Sequence, residues 1–150
     1  MFRLKEADLI NLLLVEDNPG DARLTKEALR DGKININLTH VINGVQAMAA
    51  LKKQDEFADM PRPDIVLLDL NLPLKDGLEV LKEMKSSPDL STIPVIVLTT
   101  SSNEQDVLKS YELKANCFIS KPVDFDSFVH VIKSIDDFWF SIVKLPENPK

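Results

Sequence analysis

Three carboxylates and a lysine fall at the ends of apolar runs, where a sheet protein can hold charge in place. Glu16 and Asp17 follow "LLLV", Asp69 follows "IVLL", and Lys121 stands in "FISKP". Thr99 and Thr100 close "PVIVLTT". Each has a plain explanation when taken singly. An aspartate can cap the next helix or close a turn, a threonine can bond locally, and a lysine before Pro122 can be solvated. Together they are harder to dismiss, because three carboxylates at one edge repel one another and call for a cation. Carboxylates are hard oxygen ligands suited to Mg2+. The single cysteine, Cys117, and the distant His40 and His130 offer no zinc-like spacing. Lys121 adds a positive point charge without coordinating a metal. A metal held by oxygens, beside a lysine and a threonine hydroxyl, is equipped to handle a phosphoryl group. Such transfer needs charge neutralisation and in-line alignment more than covalent help. An aspartate is a competent nucleophile toward phosphorus, and Asp69 is the expected acceptor.

The elements that must position these groups are legible as apolar runs. Strands are expected at Ile10–Val15, Ile36–Val41, Ile65–Leu68, Val95–Leu98 and Cys117–Ile119. Helical patterns lie between them at Pro19–Arg30, Gly44–Lys53, Gly77–Ser86, Glu104–Leu113 and from Asp126 to about Phe140. Asn18 can cap the first helix, Pro19 suits its first position, and Asp21 favours its positive end. In the last, Phe125, Phe128, Val129, Ile132, Ile135 and Trp139 recur at three- and four-residue steps, a stripe expected to face the core. Strands alternating with helices make an α/β chain. "DIVLLDL" and "IPVIVLTT" are apolar almost throughout, as in a parallel sheet covered on both faces. The expected architecture is a three-layer, doubly wound sheet of five parallel strands with five helices. In the common order 2-1-3-4-5, Asp69 lies between the flanking strand ends. The end of the second strand, "VINGVQ", shows less evident chemistry. Segments 54–63 and 86–94 read as surface loops without chemistry.

With 150 residues and 44% hydrophobic content, one domain with a sizeable core is expected. The net charge of −6 argues against nucleic acid or an anionic membrane as partner, since no basic patch interrupts it. No apolar run is long enough for a signal peptide or a membrane span, so a soluble, cytoplasmic protein is expected.

The residues so far identified resemble the receiver domain of two-component response regulators, with its flavodoxin-like fold, over about residues 8–135. "VEDN" resembles the metal-binding acid pair, which implies Asp17 as a direct ligand of Mg2+ and Glu16 as one acting partly through water. "DLNLPLKDG" resembles the segment around the phosphorylated aspartate, with Asp69 as acceptor and the Asn71 carbonyl as a further metal ligand. Pro73 and Gly77 keep the turn into the third helix. Thr99, 30 residues after Asp69, and Lys121, 22 further on, stand where the family has its switch threonine and its lysine. Phe118 matches the aromatic switch position, and Thr100 departs from a usually small one. Within the family, "VEDNPGDARLTKEAL", "TTS" and the terminal aromatic stretch look like the small stand-alone regulators paired with bacterial or cyanobacterial phytochrome histidine kinases.

The resemblance implies phosphoryl transfer from a phosphohistidine of the kinase to Asp69 with Mg2+, and slow self-dephosphorylation rather than a dedicated enzyme activity. Lys121 would pair with one phosphoryl oxygen. Thr99 would move to another, and Phe118 would turn inward. Past about residue 135 there is little room for an output domain, so signalling through the protein's own surface is expected. Phe138, Trp139, Phe140, Ile142 and Val143 of the tail 136–150 are too many for one helix face, and a homodimer through the last helix and tail is expected. Three rivals remain. An aspartate-nucleophile phosphatase would want an acid where Asn71 stands. A flavodoxin-like cofactor binder would want a phosphate-cradling loop in place of "EDNPGD". The third is a receiver that acts only as a scaffold, without phosphorylation.

Overall fold

The computed structural model describes residues 9–32, 35–100, 104–122 and 124–140. Five parallel strands, β1 (Ile10–Val15), β2 (Ile36–Val41), β3 (Ile65–Leu68), β4 (Val95–Thr99) and β5 (Cys117–Ser120), form one sheet in the order β2-β1-β3-β4-β5. Five helices connect and follow them: α1 (Pro19–Arg30), α2 (Gly44–Leu51), α3 (Gly77–Ser86), α4 (Glu104–Glu112) and α5 (Phe125–Ile135).

Alternation along the strands divides the core in two. Leu12 and Leu14, Ile65 and Leu67, and Ile96 and Leu98 face a cluster completed by Ala22 and Leu29 of α1 and Phe128, Ile132 and Ile135 of α5. Leu13 and Val15, Val66 and Leu68, and Val95 and Val97 face the other, with α2 and α3. A strand buried on both faces has no use for polar residues until it ends, which is why β1 and β3 turn acidic only there.

Local chemistry sets the helix starts. Asn18 accepts from the Asp21 N–H, Asn43 from the Gln46 N–H and Asp124 from the Ser127 N–H. Asp76 and Glu79 form a reciprocal capping box at α3. The ends are less faithful to the apolar pattern. α2 stops at Leu51 and α4 at Glu112, and Lys53 and Lys114 just beyond them adopt positive φ, 55° and 72°. The last helix starts at Phe125 instead of Asp126. It is regular only to Ile135, then widens to a π turn over Asp136–Phe140. Phe125 is 60% exposed and does not belong to the core stripe, which Phe128, Ile132 and Ile135 form. Segment 54–63 is partly ordered by a 3-10 turn at Asp55–Phe57. Among the described residues no helix is long and apolar enough to cross a membrane.

Candidate functional site

The carboxyl edge of the sheet gathers the polar strand ends. Glu16 follows Leu12 and Leu14 in the alternation, so it turns toward the α1 and α5 layer. There the Lys121 ammonium lies 2.6 Å from Glu16 Oε1 and 3.1 Å from Asp69 Oδ2. It also lies 2.9 Å from Asp21 Oδ2. Glu16, Asp69, Thr99 and Lys121 are all buried. The Thr99 hydroxyl donates to Asp69 Oδ1 at 2.7 Å, and the Asn71 N–H donates to the same oxygen at 3.1 Å. Glu16 Oε2 accepts from the Asn18 N–H at 3.1 Å.

The balance of charge explains the protonation states. Burial alone would lower the Lys121 pKa, but its bonds to Glu16 and Asp21 and the nearby Asp69 charge raise it above the ordinary lysine value. One ammonium cannot balance three carboxylates. Burial, opposed by the Lys121 bond and reinforced by the Asp69 charge, pushes the Glu16 pKa up to about 7.

Asp17, next along the chain, is exposed. One carboxylate oxygen each of Glu16, Asp17 and Asp69 lies within 4.8 Å of the others, the spacing of a shared cation. The donor set is entirely oxygen and therefore fits a hard divalent ion. A groove of about 460 Å³ opens there, lined by Asp17, Asn71, Pro73, Asp76 and Asp106 among others. Beside it, Gly77 packs closely: a Cβ there would lie 2.4 Å from the Asp69 carbonyl oxygen and 2.6 Å from Leu70 Cα. The turn after Asp69 can close on the start of α3 only over a glycine. Leu74, in that turn, is 80% exposed and holds a φ of 70°.

Phe118 is half-buried against the α2 and α3 side of the core. Its strand partner is Val97, and alternation puts Val97 and Thr99 on one face of β4. Phe118 and Thr99 therefore share that face. The Phe118 N–H donates to Tyr111 Oη at 3.2 Å. Thr100 is exposed.

Two participants escaped the sequence reading. Asp21 reads as a helix-start residue, yet its side chain reaches Lys121, 100 residues away. An acid in the first helical turn, four residues after Asp17, was the available signal. His40, in the strand with the least evident chemistry, places Nε2 2.8 Å from the Glu16 carbonyl oxygen. A carbonyl only accepts, so Nε2 carries the proton and donates.

With the geometry in view, the family can be assigned. The family profile "Response regulator receiver domain" matches residues 12–133. The chain belongs to the response regulator receiver family. It is 48% identical over 135 residues to response regulator Rcp1 of Synechocystis sp., covering 90% of this chain and 92% of that protein. The Mn2+-bound crystal form of Rcp1 superposes with a TM-score of 0.89 at 47% identity, over 92% of this chain and 99% of that one. The phosphorylated cyanobacterial phytochrome response regulator RcpA gives 0.89 at 46% identity, with the same coverage. The bacteriophytochrome response regulator AtBRR gives 0.72 at 42% identity, over 93% of this chain and 99% of that one.

Proposed function

We propose that this protein is the phosphoacceptor of a two-component phosphorelay and receives its phosphoryl group on Asp69 from a phosphohistidine of a sensor kinase. The observation that carries the reading is the setting of Asp69. It is a buried carboxylate with Lys121 at 3.1 Å and Thr99 at 2.7 Å, and it opens onto an acidic oxygen cluster. In the reaction an Asp69 carboxylate oxygen forms the new O–P bond while the P–N bond to imidazole breaks, and the electron pair leaves on the imidazole nitrogen. Lys121 is placed to pair with a phosphoryl oxygen without moving far. Thr99 exchanges its bond to Asp69 for one to another phosphoryl oxygen, which vacates space beside Phe118 on the same face of the sheet. The inward turn of Phe118 then alters the surface of α4, β5 and α5. The phosphoryl group favours that state only by its differential contacts. Hydrolysis of the acyl phosphate resets it, and Asn71 lines the groove through which water would come.

Glu16, Asp17, Asp69 and the Asn71 carbonyl would hold Mg2+, which when bound neutralises the charge of the carboxylates and the incoming phosphoryl group. The Mn2+-bound form of the similar Rcp1 supports a divalent ion at such a site. The kinase is a phytochrome, a reading supported by the similarity to RcpA and AtBRR. Residues 1–150 act as one cytoplasmic receiver unit, with a core of about 8–135 and an extension from 136. The net charge of −6 disfavours nucleic acid or membrane as partner.

Incubation with acetyl phosphate and Mg2+, followed by intact mass, tests the acceptor. Wild type should gain one phosphoryl group and Asp69→Asn none; stable labelling of Asp69→Asn would overturn the assignment. A homodimer through the last helix and tail completes the reading. It is supported by Phe138, 51% exposed and edge-on to Trp139 at 5.9 Å; Ile142 and Val143 lie outside the described residues. Sedimentation of a chain ending at Asp136 should give a monomer, and an unchanged dimer would exclude the tail.

A further inference from the structure

The two edges of the sheet are finished differently. At β5 the Tyr111 hydroxyl accepts the Phe118 N–H, so the chain covers part of its own edge. Among the described residues, nothing comparable lies at β2. Ile10 N–H bonds the Asn35 carbonyl and Glu16 N–H bonds the Val41 carbonyl. Parallel pairing alternates, so residues 35, 37, 39 and 41 direct their backbone groups to β1. Ile36, Leu38 and His40 direct theirs outward, and no described residue bonds them there. Such an edge is a template for another strand.

The side chains of the same three residues lie on the α1 side of the sheet. They form one wall of an open groove of about 550 Å³ whose other wall is Lys26, Leu29 and Arg30. Ile36 and Leu38 are only partly covered by the core. The charge of the groove is opposite to that of the protein. In a chain of net charge −6, its described lining holds two cations and His40 but no carboxylate. Lys26 and Arg30, one helical turn apart, stand above the apolar floor.

We propose that this groove is a docking site for an extended segment of a partner protein in which carboxylates alternate with apolar residues. The segment adds as a strand to β2, and its main chain bonds the outward groups of Ile36, Leu38 and His40. Every second side chain of a strand points to one face. The segment's carboxylates therefore enter the groove, their methylenes along Leu38 and their charges at Lys26 and Arg30. Its apolar residues lie on the opposite face of the sheet. Main-chain pairing supplies affinity and the groove supplies selection. His40 belongs to both the groove and the Glu16 backbone, so the docked strand ends beside the acidic site. The inference is independent of the phosphoacceptor assignment.

A fluorescein-labelled ten-residue peptide alternating glutamate with valine is the probe, with a lysine–valine peptide as its control. Anisotropy should show saturable binding of the acidic peptide alone, weakened at least tenfold by the double substitution Lys26→Glu, Arg30→Glu and by raised salt. Leu38→Pro removes one outward N–H without breaking the ladder to β1 and should also weaken it. The far-UV circular dichroism spectrum of the double variant should match the wild type, which shows an intact fold. Equal binding of the two peptides, or acidic-peptide binding indifferent to both sets of substitutions, would overturn the proposal. Concentration-dependent dimers abolished by Leu38→Pro, with no peptide binding, would replace the partner with a second copy of this chain.

Discussion

β3 and β5 each deliver a site residue, Asp69 and Lys121, yet they are built differently. Every residue of β3 is buried, with β1 and β4 on its flanks and helices on both faces. β5 is an edge strand whose first three residues are half-buried and whose last is exposed. The neighbouring helix repeats the contrast: α4 buries only Ser110, whose hydroxyl has no partner among the described residues. The acceptor therefore follows a fully buried strand and the lysine a half-buried one. Local opening costs least where apolar contacts are fewest. A phosphoryl switch needs that division: a fixed carboxylate for the chemistry and a nearby surface that can rearrange at small cost.

The contrast can be tested first through the residue that joins the two strands. Lys121→Met leaves Glu16, Asp21 and Asp69 without their shared cation. Removing one partner of such a buried group costs about 3–5 kcal/mol, which urea denaturation in EDTA should read, together with loss of labelling from acetyl phosphate. A loss under about 1 kcal/mol would mean that the carboxylates do not depend on β5. A matched pair of truncations comes next. Leu67→Ala in β3 should cost about 2–5 kcal/mol and Ile119→Ala in half-buried β5 about half that; equal losses would remove the distinction. Third is a pH effect confined to the site. In the folded chain Glu16 keeps its proton up to about pH 7, whereas the unfolded chain releases it near the ordinary 4.5. Between those values the folded state binds more protons, so in EDTA stability should fall as pH rises from about 4.5 to about 7, then level off. Glu16→Gln should flatten that segment of the profile, and an unchanged slope would assign it to other groups.

Much of this organisation was legible in the residues. All five strands and the order of elements follow from apolar runs and from the rule that charge enters a two-sided sheet only at strand ends. The same rule singled out Glu16, Asp17, Asp69, Thr99 and Lys121, which the fold brings to one edge. Helix starts were readable from caps that act within three residues, as at Asn18. Helix ends were less so, because they depend on positive-φ residues such as Lys53 and Lys114 that carry no glycine signal. Phe125 misled for a related reason: periodicity reports a stripe, but only packing decides which of its residues are covered.

The sequence by itself determined the alternation, the strand-end chemistry and the membership in the receiver family, because these rest on local spacing and on residue types that few other arrangements would explain. Tertiary structure alone decided who meets whom. It brought Asp21 to Lys121, set His40 against the Glu16 carbonyl, raised the Glu16 pKa by burial, and among the described residues put Tyr111 on the β5 edge and none on β2. These are distances between residues tens of positions apart, and burial and Coulomb energy depend on those distances rather than on order along the chain.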